Sequence, residues 1–238
     1  MHAKAVSIAA RFNGPPASGN GGYVCGLLAR EIDGASEGAL RVPPPLERPL
    51  ALSRDGARVL LRDGDTLVGE AKPATLDLVA PPAPSMAQAR DAAKRYPGLN
   101  GHAFATCFVC GAGRPARDGL NIFTGKLSDR DMVACTWTPA ADLTDADGRV
   151  ALEFIHAALD CPGYWALPHA GQLIAVLARF TVSIDAPRPR AGEELIVAAW
   201  PIQSEGRKHR AGSVLYNTNG DVLARAAALW VELKPTPA

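Results

Sequence analysis

At 238 residues, with 47% hydrophobic and 21% charged side chains, the chain can bury a sizeable core as one large domain or two of ordinary size. Its 25 Lys and Arg against 24 Asp and Glu leave a net charge of +1, which argues against a nucleic-acid surface as its main business. No run reaches the ~18 to 20 apolar residues of a membrane span, the stretch 1–11 lacks the apolar core of a signal peptide, and five thinly spread cysteines do not make a disulfide framework. The expectation is a cytoplasmic protein with free thiols and neither a nucleic-acid nor a membrane partner.

Residues 12–30 pass from a turn-rich loop into a short apolar segment predicted to be helical through Arg30. The glycines and the asparagine of Gly19-Asn20-Gly21-Gly22 point to backbone that takes left-handed angles or approaches something closely. No strand precedes them and the spacing is wrong, so they are not a dinucleotide fingerprint. From Leu40 to Lys72, short apolar runs and an Asp63-Gly64 turn read as an antiparallel meander. A Pro-rich linker over 81–85 then leads into a short surface helix over 86–96, closed by Pro97-Gly98.

Cys107-x-x-Cys110 invites a zinc reading, but a structural zinc needs four ligands and the usual second pair is missing. His102, Cys135 and Cys161 would have to converge on it without a motif, so no metal is expected. A thioredoxin-like role lacks its βαβ setting. Over 152–167 a strand-like apolar run ends in one carboxylate, Asp160, ahead of Pro162-Gly163 and an aromatic segment read as a buried helix. Asp160 therefore falls where that helix is expected to begin, either as its N-cap or as a catalytic carboxylate beside exposed backbone amides. Strand alternation places Glu153 and His156 on opposite faces, with His156 structural.

A second meander follows over 173–184, 194–203, 212–217 and 222–233, with a turn at Asn219-Gly220-Asp221. Gly220-Asp221-Val222-Leu223 echoes Gly64-Asp65-Thr66-Leu67, and Gly163-Tyr164 echoes Gly22-Tyr23, which suggests a duplicated α+β unit. The run Arg207-Lys208-His209-Arg210 reads as a solvated turn or as a site for phosphates.

On Cys107-Phe108-Val109-Cys110-Gly111, Gly119-Leu120, Ala158-Leu159-Asp160-Cys161-Pro162-Gly163, Trp165 and Trp230, the second half resembles the hotdog-fold thioesterase superfamily. Residues 10–80 resemble it more loosely, through Ser18-Gly19-Asn20-Gly21-Gly22-Tyr23. The resemblance implies an α+β fold of two tandem hotdog units, 1–80 and 102–238, joined by 81–101. Each unit is a central helix wrapped by a curved antiparallel sheet, and the two pair into one continuous sheet. It further implies hydrolysis of an acyl-CoA-type thioester in a pocket between the units. Asp160 would be the general base, with Asn20, Gly21 and Gly22 beside it to position water or hold the oxyanion. Gly163 and Tyr164 would touch substrate, and Arg207 and Lys208 would meet the phosphates of coenzyme A, which enters as part of the substrate and not as a cofactor. The alternatives are a non-catalytic acyl- or acyl-CoA-binding protein and a hotdog dehydratase or hydratase. The latter relies on a His at helix spacing from the carboxylate, whereas His169 follows Asp160 by nine residues and lies beyond Pro168. Two units in one chain fit a monomer with an internal pseudo-dimer, or a homodimer.

Overall fold

The computed structural model describes residues 4–115 and 117–234. The N-terminal stretch read for a leader begins, at 1–3, outside the described residues. The first half runs β1 (Lys4–Val6), α1 (Gly21–Ala29), β2 (Ser36–Leu40), β3 (Leu50–Asp55), β4 (Arg58–Asp63) and β5 (Thr66–Pro73). After α2 (Met86–Ala93), the second half runs β6 (Gly125–Lys126), β7 (Val133–Trp137), α3 (Leu152–Trp165), β8 (Ala175–Ile184), β9 (Leu195–Glu205), β10 (Lys208–Tyr216) and β11 (Val222–Glu232).

All eleven strands form one sheet in the order β1-β3-β4-β5-β2-β8-β11-β10-β9-β7-β6. The strand after each helix, β2 or β8, is flanked by the last strand of its own meander, so the halves repeat one order outward from the centre. They join where β2 and β8 pair antiparallel, from Ser36 opposite Val182 to Ala39 opposite Arg179. This is the expected α+β pair of units in one continuous sheet.

Helices α1 and α3 lie against each other in the main core. A Cβ on Gly22 would fall 2.5 Å from Asp160 Cβ and 2.6 Å from the His156 carbonyl oxygen, and one on Gly26 would fall 2.4 Å from Glu153 Cα. Glycine at both positions, one turn apart, lets the backbones approach this closely. The direction is antiparallel, since Gly22 meets 156–160 and Gly26 meets Glu153.

Helix α3 departs from the sequence expectation. It begins at Leu152 and not at Asp160, and twelve of its fourteen residues are buried. A helix buried on nearly every side loses the 3.6-residue alternation that would mark it, and its first eight residues read as a strand. Glu153 and His156 consequently sit three apart on a helix, on neighbouring positions and not on opposite faces. Pro162 and Gly163 lie inside α3, and the Leu159 carbonyl accepts the Ser213 hydroxyl at 2.6 Å.

Helix α2 starts with a Ser85/Gln88 capping box. It buries Ala89 and Ala92 with Ala134, Ile196 and Ala198, whereas the alternate residues Cys135 and Val197 join the α1–α3 core. Strands β7 and β9 are thus covered on both faces, which accounts for the unbroken apolar run of 195–199. Among the described residues no helix is long and apolar enough to cross a membrane.

Candidate active site

Asn20 closes the loop ahead of α1 and caps that helix, its Oδ1 accepting the Tyr23 N–H at 2.9 Å. Its Nδ2 donates to Asp160 Oδ2 at 3.0 Å and reaches Cys161 Sγ at 3.8 Å. The Gly22 N–H donates to the same Asp160 oxygen at 2.8 Å. Asp160 therefore stands at the positive end of a helix, but it is α1 of the other unit, and Asp160 itself lies two turns into α3. The close approach at Gly22 creates this contact.

The other carboxylate oxygen, Asp160 Oδ1, is buried and has no hydrogen-bond partner among the described residues. Burial raises the carboxyl to about 7; the Gly22 N–H and the Asn20 amide pull it down, and the Cys107 charge pushes it up. Asp160 lines a cavity of about 560 Å³ between the two units. One side comes from Asn20, Gly21 and the loop 40–44, the other from α3, β8 and the segment 102–110. Its walls are largely apolar, with Leu40, Phe104, Ile174, Leu177 and Trp230 among them.

The expected site residues divide into those brought together and those that are not. Asn20, Gly21, Gly22 and Asp160 converge. The Gly22 amide is spent on Asp160, however, and is not free to hold an oxyanion; of the first amides of α1, the Gly21 N–H is the one without a partner among the described bonds. Gly163 is not among the residues that line the cavity. It lies in the interior of α3, where a Cβ would meet Trp230 Nε1 at 3.1 Å, and its amide is not at a helix start. Tyr164 lines the cavity, but its hydroxyl donates to the Leu173 carbonyl at 2.6 Å and accepts the Gly171 N–H at 3.0 Å, pinning the loop ahead of β8.

Arg207 and Lys208 are at the β9–β10 turn, beside a separate depression with Glu205, Gly206 and Val231, and not on the rim of the Asp160 cavity. Arg207 donates to the Glu232 carbonyl at 2.9 Å. The cation that does line the cavity is Arg41, which pairs with Glu70; an isolated Arg between short apolar runs carried no sequence signal. His156 is structural as expected. Its Nδ1 meets the Leu152 carbonyl at 2.9 Å, its Nε2 has no partner, and burial lowers its pKa to about 4.

Cys107, Cys110 and Cys161 place their sulfurs within 4.8 Å of one another, and Cys107 Sγ lies 3.7 Å from Cys161 Sγ. His102 Nε2 is 3.1 Å from Cys110 Sγ. Two of the three residues that would have had to converge on Cys107 and Cys110 do so; Cys135 stays on β7 in the core.

No protein-family model and no curated protein matches the chain. Solved structures do. A candidate thioesterase from Novosphingobium aromaticivorans superposes with a TM-score of 0.63 at 15% identity, over 97% of this chain and 95% of that one. A protein of unknown function with a hot dog fold from Alicyclobacillus acidocaldarius gives 0.60 at 12%, over 98% and 93%. The acyl-CoA thioesterase II TesB2 of Mycobacterium marinum gives 0.58 at 13%, over 98% and 93%. Matches this long, at identities this low, show a shared fold, and the chain has the double-hotdog architecture.

Proposed function

We propose that the chain hydrolyses an acyl thioester in the cavity between its two units, with Asp160 as general base. The observation that carries this reading is the division of labour within one carboxylate. Oδ2 is fixed by the Gly22 N–H and the Asn20 amide, while Oδ1 is buried without a partner on a residue that lines the cavity. A water bound to Oδ1 attacks the thioester carbonyl carbon and gives its proton to that oxygen. The carbonyl oxygen becomes an oxyanion at the start of α1, where the Gly21 N–H and the helix dipole stabilise it. Collapse breaks the carbon–sulfur bond, the proton passes from Asp160 to the leaving thiolate, and the acid and the thiol are released.

The apolar walls suit the acyl chain, and Arg41 is the cation positioned for a phosphate of a coenzyme A thiol. The neighbours named as thioesterases support this reading through the shared fold. We place the reaction in the cytoplasm, with one chain supplying both units of the pair. The test is thiol release by the purified wild type from short, medium, aromatic and long acyl-CoAs. Turnover of at least one class is expected. No release from any of them, with acyl-CoA still bound, would instead support a binding protein.

A further inference from the structure

We propose that Cys107, Cys110 and Cys161 bind a zinc ion that ties the segment 102–111 to α3 at the wall of the cavity.

The geometry is that of a thiolate site. A zinc–sulfur bond of ~2.3 Å in a tetrahedron sets the sulfurs ~3.8 Å apart, and Cys107 and Cys161 are 3.7 Å apart. The third sulfur lies within 4.8 Å of both. Cys107 and Cys110 sit in a tight turn. The Gly111 N–H donates to the Cys107 carbonyl at 2.9 Å, and the Cys107 N–H donates to the Phe104 carbonyl at 2.9 Å. A Cβ on Gly111 would come within 2.5 Å of Cys107 N, so the turn needs glycine directly after the second cysteine.

The sulfurs also have polar neighbours. Three buried thiols packed for shape alone need no polar partners, yet side-chain nitrogens reach two of the three. Cys110 Sγ faces His102 Nε2. Cys161 has the Asn20 amide. The Phe104 N–H donates to His102 Nδ1 at 2.9 Å, which leaves the ring proton on Nε2, aimed at Cys110 Sγ. These are the outer contacts that orient and tune metal-bound thiolates. Held as thiolates, three buried sulfurs this close together need a cation between them, and soft sulfur ligands select a thiophilic ion such as zinc. All three cysteines line the cavity, so the fourth position faces it and falls to water or a ligand there.

The experiment is elemental analysis of the full-length chain produced with zinc in the medium, together with Co²⁺ reconstitution of chelator-treated protein. One zinc per chain is expected, and Co²⁺ should give thiolate-to-cobalt charge-transfer absorption. Both should be lost in Cys107→Ser and Cys161→Ser and kept in Cys135→Ser, a buried cysteine outside the group. Should the serine variants fail to fold, the wild type alone decides: chelation should lower its melting temperature by several degrees and Zn²⁺ should restore it. Folded wild type that carries no stoichiometric metal and gives no charge-transfer band overturns the proposal, as does a disulfide within the trio. Metal content is read without turnover, so a chain that hydrolyses no thioester would leave this inference standing.

Discussion

Asp160 is held by groups 138 and 140 residues away, the Gly22 N–H and the Asn20 amide, and each can be removed separately. Asn20→Ala deletes the α1 cap, worth ~1 kcal/mol, together with one of the two bonds that aim the carboxylate. Stability should fall by about that amount, and thioester turnover by up to about a hundredfold through misplacement of the base. Unchanged turnover would mean that Gly22 alone positions Asp160. His156 gives a prediction in pH. Its pKa is about 4 when folded against 6.5 ordinarily, so between these values the unfolded chain binds a proton that the folded chain does not. The stability it contributes is complete above pH ~6.5 and is lost as pH falls toward 4. Asp160, raised to about 7, works in the opposite direction over this window, so the readout is the difference between wild type and His156→Gln in chemical unfolding. The wild type's advantage should shrink by about 2 kcal/mol from pH 7 to pH 5. A constant difference would place a charged or solvated imidazole in the fold.

At the scale of elements, the molecule turns on the contact between α1 and α3. Gly22→Ala puts a methyl group 2.5 Å from Asp160 Cβ and 2.6 Å from a helix carbonyl, neither of which can swing aside. The expected cost is about 1–3 kcal/mol, seen as a drop of several degrees in melting temperature and a matching loss of turnover as the helices separate. An Ala variant as stable as the wild type would contradict the packing described. The sequence made α1 legible, because glycines and an Asn abut an apolar run; that the Asn caps the helix came only with the structure. The sequence concealed α3, since burial on nearly every side removed its periodicity and Pro162-Gly163 posed as a break. Asp160 was expected at the start of its own helix; it lies inside α3 and faces the start of α1 in the other unit, a long-range contact that no local pattern records. The basic run 207–210 shows the reverse error: charge marks a surface and does not say which one, and the turn that carries it lies away from the cavity that Arg41 lines.

The whole molecule is a duplicated pair whose two ends have diverged. The meanders and their Asp-Gly and Asn-Gly turns made the duplication readable, because antiparallel strands announce themselves through local turns. The seam between β2 and β8 had no such signal. At one end of the helix pair, the start of α1 meets Asp160 and a cavity. At the other, where α3 starts, Gly26 packs on Glu153, Glu153 pairs with Arg30 at 3.2 Å, and Phe12, Tyr23 and Phe154 form an aromatic cluster. A non-hydrolysable acyl-CoA analogue should therefore bind once per chain in calorimetry; two equal sites per chain would contradict this asymmetry. The central claim is that Asp160 performs the chemistry, and the direct measurement is thiol release from the best acyl-CoA substrate by wild type and Asp160→Asn, with circular dichroism on both. Asparagine keeps the shape and an oxygen to accept from Gly22 but cannot take a proton. A folded variant slowed by about 10²- to 10⁴-fold is expected. A folded variant that retains wild-type turnover would show that the base lies elsewhere.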